Sequence, residues 1–454
     1  MALIDVAGLS VSFAGRMVLD GIDLSIGGGD RICIVGGNGS GKSSLGHAVA
    51  GWLTNGPHLS GEVRHDGRRI EDLALAERAR LVQYVGQVPM HQLSGRAFTV
   101  TEEVAFGPEN LNWPAGDTGA RVAGVLERFD LGHLADRDPF TLSGGEQQRL
   151  SIAAALALSP ALLILDEAEA NLDVAARRRL AAELAALPAD AALLLLDVEP
   201  DLGLALGCRM LALGNGRLID WSPGAGRPAG AKESPIHPAG EPILDVSDVA
   251  FGYPGAAPLY RRLSLSVAAG EAVALVGPNG IGKSTLFRLI NGLSRPSSGH
   301  IRIGGRDTAG LRIDQIADTV ATVFQEPENQ LFSPTVRQEV AFGLDAEEIA
   351  GRVDEALART GLSDAAHRHP LDLDTANRRF VTIACALARR PGLLLLDEAQ
   401  RGLDRTNIAR IEAIIAEERA RGAAILFICH DPAFVARNAT RVIDLDGDGK
   451  RAVA

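Results

Sequence analysis

Two stretches of the chain carry the residue types and spacing needed to hold a polyphosphate. Gly36-Gly37-Asn38-Gly39-Ser40-Gly41-Lys42-Ser43-Ser44 follows the run Arg31-Ile32-Cys33-Ile34-Val35. Gly277-Pro278-Asn279-Gly280-Ile281-Gly282-Lys283-Ser284-Thr285 follows Ala272-Val273-Ala274-Leu275-Val276. Each reads G-x-x-x-x-G-K-[ST] between a strand pattern and a helical one, the context that makes it a phosphate loop. Glycines let successive backbone N–H groups turn inward where a Cβ would obstruct, and a helix N-terminus adds partial positive charge. Lys42 or Lys283 is then placed to reach the β- and γ-phosphates, and the Ser43 or Ser284 hydroxyl to ligate Mg²⁺. One copy alone could be a glycine turn with a chance lysine; the second copy argues against that.

A second pair of stretches supplies carboxylates. Leu163-Ile164-Leu165-Asp166-Glu167 and Leu394-Leu395-Leu396-Asp397-Glu398 end apolar runs of the kind buried in parallel sheets. Beside a phosphate loop, Asp166 and Asp397 fit Mg²⁺ partners, while Glu167 and Glu398 fit groups that orient an attacking water. Alone, each could be no more than a strand end.

The elements that position these groups occur twice. Leu150-Ser151-Ile152-Ala153-Ala154-Ala155-Leu156 resembles Val381-Thr382-Ile383-Ala384-Cys385-Ala386-Leu387, and each leads without a gap to its Asp-Glu run. Both copies open on alternating strand patterns, 4–13 then 18–26, and 243–253 then 259–267. Helix-rich stretches, 100–140 and 336–371, lie between each phosphate loop and its Asp-Glu strand. Strands alternating with helices indicate an α/β fold with partly parallel sheets. Residues 221–242 hold Pro223, Pro228, Pro235, Pro238 and Pro242 among Gly and Ala, which suits a linker. The expected domains are therefore 1–220 and 243–454, joined by 221–242.

Bulk properties exclude several classes. A length of 454 residues with 46% hydrophobic and 22% charged content describes a globular chain of about two or three domains. A net charge of −12 argues against nucleic acid as the main ligand. The four cysteines (Cys33, Cys208, Cys385, Cys429) form no C-x-x-C pair, so neither a metal site nor a disulfide frame is expected. The start shows no signal-peptide pattern, and the longest apolar stretch, 152–165, is interrupted by Ser159-Pro160 and too short to span a bilayer.

Leu142-Ser143-Gly144-Gly145-Glu146-Gln147-Gln148-Arg149 places a hydroxyl and unobstructed glycine N–H groups at a helix start, an anion site. This octet is similar to the signature of ATP-binding cassette (ABC) ATPases. With the phosphate loops and Asp-Glu strands, the chain resembles two tandem P-loop ABC cassettes, each with an antiparallel β subdomain and a helical subdomain bearing the signature. That resemblance implies ATP and Mg²⁺ as ligands, ATP hydrolysis, and head-to-tail pairing of cassettes, each ATP lying between one phosphate loop and the opposite signature. It assigns Phe13 and Tyr253 to adenine stacking, although either could be a core aromatic. Gln87 and Gln325 match the glutamine that senses Mg²⁺ and links to a transmembrane partner, and His430 the histidine that contacts the γ-phosphate. Leu172-Asp173 and Leu403-Asp404 match the loop that crosses the cassette interface.

The departures are asymmetric. The second signature position reads Leu373-Asp374-Thr375-Ala376-Asn377-Arg378-Arg379-Phe380, with Asp374 for the serine and Thr375-Ala376 for the glycines. The first cassette has Val198 where the second has His430. Ala168 and Ala399 stand where the family usually has proline. In head-to-tail pairing both defects fall in the composite site of Lys42, leaving Lys283, Glu398 and His430 to face the intact Ser143-Gly144-Gly145.

The segment Phe324-Gln325-Glu326-Pro327-Glu328-Asn329-Gln330-Leu331-Phe332-Ser333-Pro334-Thr335-Val336 resembles the ATPases of energy-coupling-factor importers. Gln92-Leu93 and Val104-Ala105-Phe106-Gly107-Pro108-Glu109-Asn110-Leu111 are similar to the same group. Those importers move vitamins, vitamin precursors or transition-metal ions through an integral membrane coupling subunit and a membrane substrate-binding subunit. The implied location is peripheral, on the cytoplasmic face of the cell membrane. A twin-cassette monosaccharide importer ATPase and a ribosome-associated twin cassette are the alternatives. The proline-rich linker and the negative charge count against the latter.

Overall fold

The computed structural model describes residues 2–13, 15–53, 57–169, 172, 174–222, 242–255, 257–278, 280–445 and 452–453. Asn279, Asp173 and nearly all of the stretch expected to be a linker lie outside the described residues. The chain divides into two compact units, Met1–Ala225 and Gly226–Ala454.

In the first unit an antiparallel sheet runs in the order Arg16–Ile26, Ile4–Phe13, His58–His65, Arg68–Arg69. A six-stranded sheet runs Arg217–Asp220, Arg209–Gly214, Arg31–Val35, Ala192–Asp197, Leu162–Asp166, Val82–Val85. The strand before the phosphate loop thus lies between two parallel neighbours. Leu162–Asp166 and Ala192–Asp197 are buried at every position, which is why their sequences are unbroken apolar runs and not alternating ones. The helices Val100–Asn110, Ala115–Arg128 and Gly144–Ala157 share one core with one face of this sheet. The other face shares a core with the antiparallel sheet and the helix Lys42–Ala50.

The second unit repeats the plan. Its antiparallel sheet is ordered Tyr260–Ala268, Pro242–Phe251, Ser298–Ile303, Arg306–Asp307. Its mainly parallel sheet is ordered Val320–Val323, Leu393–Asp397, Ala424–Ile428, Ala272–Val276, Arg441–Leu445, Ala452–Val453. The helices Val336–Ala341, Ala346–Arg359 and Thr375–Ala388 correspond to the three of the first unit. The strands differ from the sequence expectation at their ends. Arg16 extends the second strand by a hairpin pair with Phe13, Pro242 opens the unit's first strand, and that strand stops at Phe251, so Tyr253 lies beyond it.

Candidate functional site

Each phosphate loop joins its central strand to a helix through a glycine that only a residue without Cβ can occupy. Gly41 has φ 104° and Gly282 φ 112°, and a Cβ at Gly282 would sit 2.6 Å from the Tyr260 Oη. The Tyr260 hydroxyl donates to the Gly282 carbonyl, pinning the loop from the antiparallel sheet. Within the first loop the Ser40 N–H donates to the Gly37 carbonyl at 3.2 Å. Both lysines are buried. Lys42 Nζ donates to the Gly36 and Gly37 carbonyls at 2.8 and 3.2 Å, and Lys283 Nζ to those of Gly277 and Pro278 at 2.8 and 2.9 Å.

The Asp-Glu pairs stand at the ends of their strands, opposite these lysines. Glu167 and Glu398 both have left-handed backbones, φ 50° and 52°, and both donate their N–H across to the neighbouring strand, to Leu196 and Ile428. Non-glycine residues seldom accept that conformation outside sites that need it. Glu167 Oε2 accepts from Gln87 Nε2 at 2.8 Å, and its Oε1 lies 3.3 Å from Lys42 Nζ. Glu398 Oε2 accepts from Gln400 Nε2 at 2.9 Å, and its Oε1 is 3.5 Å from His430 Nε2. Burial pushes the Glu398 and Asp397 carboxyls up, and the Ser284 hydroxyl draws Asp397 part of the way back. Asp166 Oδ2 accepts the Tyr84 hydroxyl at 2.6 Å, while Asp166 Oδ1 is buried without a hydrogen-bond partner among the described residues. Burial and the adjacent Asp166 raise the Tyr84 pKa, so the phenol remains a donor. A buried carboxylate oxygen left without a partner fits a divalent cation.

Phe13 and Tyr253 are exposed, at 39% and 46%, so neither is a core aromatic. Tyr253 packs edge-on against Phe251, and its hydroxyl lies 3.3 Å from Thr285 Oγ1 at the end of the second phosphate loop. Ser44 holds the place of Thr285 in the first loop.

The two signature positions begin equivalent helices with different chemistry. Ser143 caps Gly144–Ala157 in a reciprocal box with Glu146, and a Cβ on Gly144 would meet open space. Gly144 is therefore not required by packing within the unit. Asp374 caps Thr375–Ala388 through both carboxylate oxygens, to the Asn377 backbone and side-chain amides at 2.8 Å each. Asp404 likewise caps the helix Arg405–Ala420, accepting from the Asn407 N–H.

Three groups had little sequence signal. Gln400, not Gln325, provides the amide on Glu398; Gln325 instead lends its carbonyl to Arg379. Arg379 is buried, with its pKa lowered to about 10 by desolvation, and also bonds the Arg401 carbonyl. Asp197 occupies the place of Cys429, and burial beside the Glu169 carboxylate pushes its pKa up to about 8. Val198 follows Asp197 where His430 follows Cys429. Asp197 marks itself in the sequence only as an acid closing an apolar run.

A cavity of about 290 Å³ opens in the second unit beneath Leu293, Ile313, Phe332 and Phe342, all more than two-fifths exposed. No helix among the described residues is long and apolar enough to cross a membrane.

The sequence profile of the ABC transporter family matches residues 19–170 and 260–401, once in each unit. An ABC transporter ATP-binding protein of Methanosarcina mazei is 31% identical, over 97% of this chain and 93% of its own length. One from Bifidobacterium longum is 33% identical over 94% of this chain, which spans only 62% of that relative. A Bacillus subtilis protein named for HMP/thiamine import is 29% identical over 98% of this chain and 90% of its own length.

Proposed function

The chain belongs to the ABC transporter ATP-binding family, whose members hydrolyse ATP, and we propose that it powers an importer of the energy-coupling-factor type. The cargo is a vitamin, a vitamin precursor or a transition-metal ion. The observation that supports this reading is the segment Phe324 to Val336 behind Gln325, which resembles that importer group. The Bacillus subtilis relative named for HMP/thiamine import supports it across nearly the whole chain. The apolar cavity in the second unit and its exposed rim suit an amphipathic helix of a membrane coupling subunit. A separate membrane subunit binds the substrate, and the chain works at the cytoplasmic face.

The units have unequal roles. In the site built on the second loop, Lys283 holds phosphate oxygens, and Ser284 with Asp397 holds Mg²⁺. The metal, when bound, neutralises charge on the β- and γ-phosphates. Glu398, its pKa raised by burial and its far oxygen fixed by Gln400, takes up the proton of the attacking water. His430, 3.5 Å from Glu398, and the Ser143-Gly144-Gly145 helix start of the first unit stabilise the γ-phosphate charge. The other site pairs Lys42, Ser43, Asp166 and Glu167 with Val198 and Asp374. It lacks a histidine donor and meets a carboxylate where a hydroxyl belongs, so it holds nucleotide and turns it over slowly.

Purification of the full chain from detergent-solubilised native membranes, followed by ATP-driven uptake in vesicles, tests this reading. Copurification with two integral membrane proteins and uptake of a vitamin or metal ion is expected. Isolation without any integral membrane protein would sink the reading.

A further inference from the structure

The two units differ at one buried place that the site asymmetry does not use. Tyr84 pairs with Ile164 in the sheet, and Thr322 pairs with Leu395, each two residues before its Asp-Glu pair, so Tyr84 and Thr322 occupy equivalent positions. Thr322 hydrogen-bonds Asn291 at 2.9 Å. Tyr84 reaches the Asp166 carboxylate at 2.6 Å, short enough for a charge-assisted O–H···O⁻ bond. The helix behind the phosphate loop has changed to match. A Cβ on Gly46 would come within 2.9 Å of the Tyr84 ring, whereas the second unit has the buried Phe287 at this helix position. An aromatic ring thus comes from the strand in one unit and from the helix in the other, and only the strand's ring brings a hydroxyl to the metal-binding aspartate.

We propose that Tyr84 is a positioning residue for the divalent cation of the first unit: its phenol occupies Oδ2 of Asp166 and aims Oδ1 at the metal. The proposal rests on reading Lys42, Ser43 and Asp166 as a nucleotide–metal site. Oδ1 is the oxygen left buried without a partner, and without the phenol the carboxylate is free to turn about its terminal bond. His47 and Trp52 hold the Tyr84 ring from the outside, with ring centroids 4.7 and 5.1 Å away. Groups that orient a metal ligand typically change metal affinity by about ten- to a hundredfold when removed.

The test uses the full chain carrying Lys283→Ala, so that the first loop provides the remaining site. Mn²⁺ binding is read by electron paramagnetic resonance of the free ion with a non-hydrolysable ATP analogue present. Analogue binding without metal is measured in EDTA. Tyr84→Phe keeps the ring that packs against Gly46 and removes only the hydroxyl. It should weaken Mn²⁺ binding by about tenfold and leave metal-free analogue affinity within about twofold. Unchanged or tighter Mn²⁺ binding overturns the proposal. A parallel loss of both affinities overturns it too, because that marks a merely structural role. If the Lys283→Ala parent binds neither analogue nor Mn²⁺, the first loop is not a nucleotide site and the underlying reading fails as well.

Discussion

Replacing the two strand-end glutamates one at a time separates the two sites. Glu398 and Glu167 occupy equivalent positions with matching backbones, φ 52° and 50°, so Glu→Gln perturbs both units alike in shape. Their expected contributions differ because their surroundings do. Where Ser143 presents a hydroxyl, Asp374 presents a carboxylate whose two oxygens are already engaged as acceptors of the Asn377 amides. In the proposed head-to-tail pairing, a carboxylate about 5 Å from one unit of phosphate charge would repel it by roughly 3 kcal/mol at an effective dielectric near 20. A barrier higher by that amount slows turnover over a hundredfold. Val198 adds to the deficit by supplying no donor. Steady-state ATPase is then almost wholly the work of Glu398. Glu398→Gln should leave on the order of 1% of the rate, in line with losing a general base. Glu167→Gln should leave about nine-tenths. The assay is phosphate release by the full chain, alone and in native membranes, with nucleotide occupancy measured in parallel to show that both variants still load. Equal losses, or a larger loss from Glu167→Gln, would refute the assignment of the working site.

Three further outcomes follow from the packing. Asp197 has its pKa raised to about 8 in the folded chain, so the stability this gives is fully present below the unfolded value near 3.8 and is lost as pH rises through 8. Asp197→Asn should therefore flatten the fall of Tm between pH 6 and 9, read by calorimetry; an unchanged slope counts against the buried-acid reading. Arg379→Met leaves the Gln325 and Arg401 carbonyls without their donor and should lower stability by roughly 3 kcal/mol in urea melts. Asp374→Ala removes a helix cap at a cost of about 1 kcal/mol, whereas Asp374→Ser should cost almost nothing, because serine caps equally well.

Most of the fold was legible because its signals are local. The glycine loops, the apolar runs that become fully buried strands, and the helix caps each announce themselves within a few residues. The exposed positions of Phe13 and Tyr253 were not legible, since an aromatic near a strand end reads equally as core or surface until the neighbouring strand is placed. Gln400 was missed for a different reason. In the first unit the amide on Glu167 comes from Gln87, far away in sequence, whereas the structure gives that place on Glu398 to a side chain only two residues along. Tyr84 could not be read at all, because its contact with Asp166 depends on strand order and on the space left by Gly46.

The helix start of the second unit has a bonding pattern of its own. The second unit has no Ser-Gly-Gly at this position, and Asp374 caps the helix with two hydrogen bonds where Ser143 uses a box with Glu146. The residues that follow then bind inward. Arg378 pairs with Glu328 at 2.9 Å, in the segment behind Gln325. Arg379, fully enclosed, spans from the Gln325 carbonyl to the carbonyls of Glu398 and Ala399. At the corresponding positions the first unit has Gln147 and Gln148, and Gln147 donates to the Pro139 carbonyl inside its own helical portion. A buried guanidinium is stable only where carbonyls converge on it, so it holds those carbonyls in one arrangement. The helix without the Ser-Gly-Gly start is thus a clamp on the glutamine segment and the Asp397-Glu398 strand end of its own unit. Arg378 and Arg379 thus tie the helical portion to the segment behind Gln325, and Arg379 ties it also to the strand end at Glu398, in the unit whose glutamate is proposed to do the chemistry.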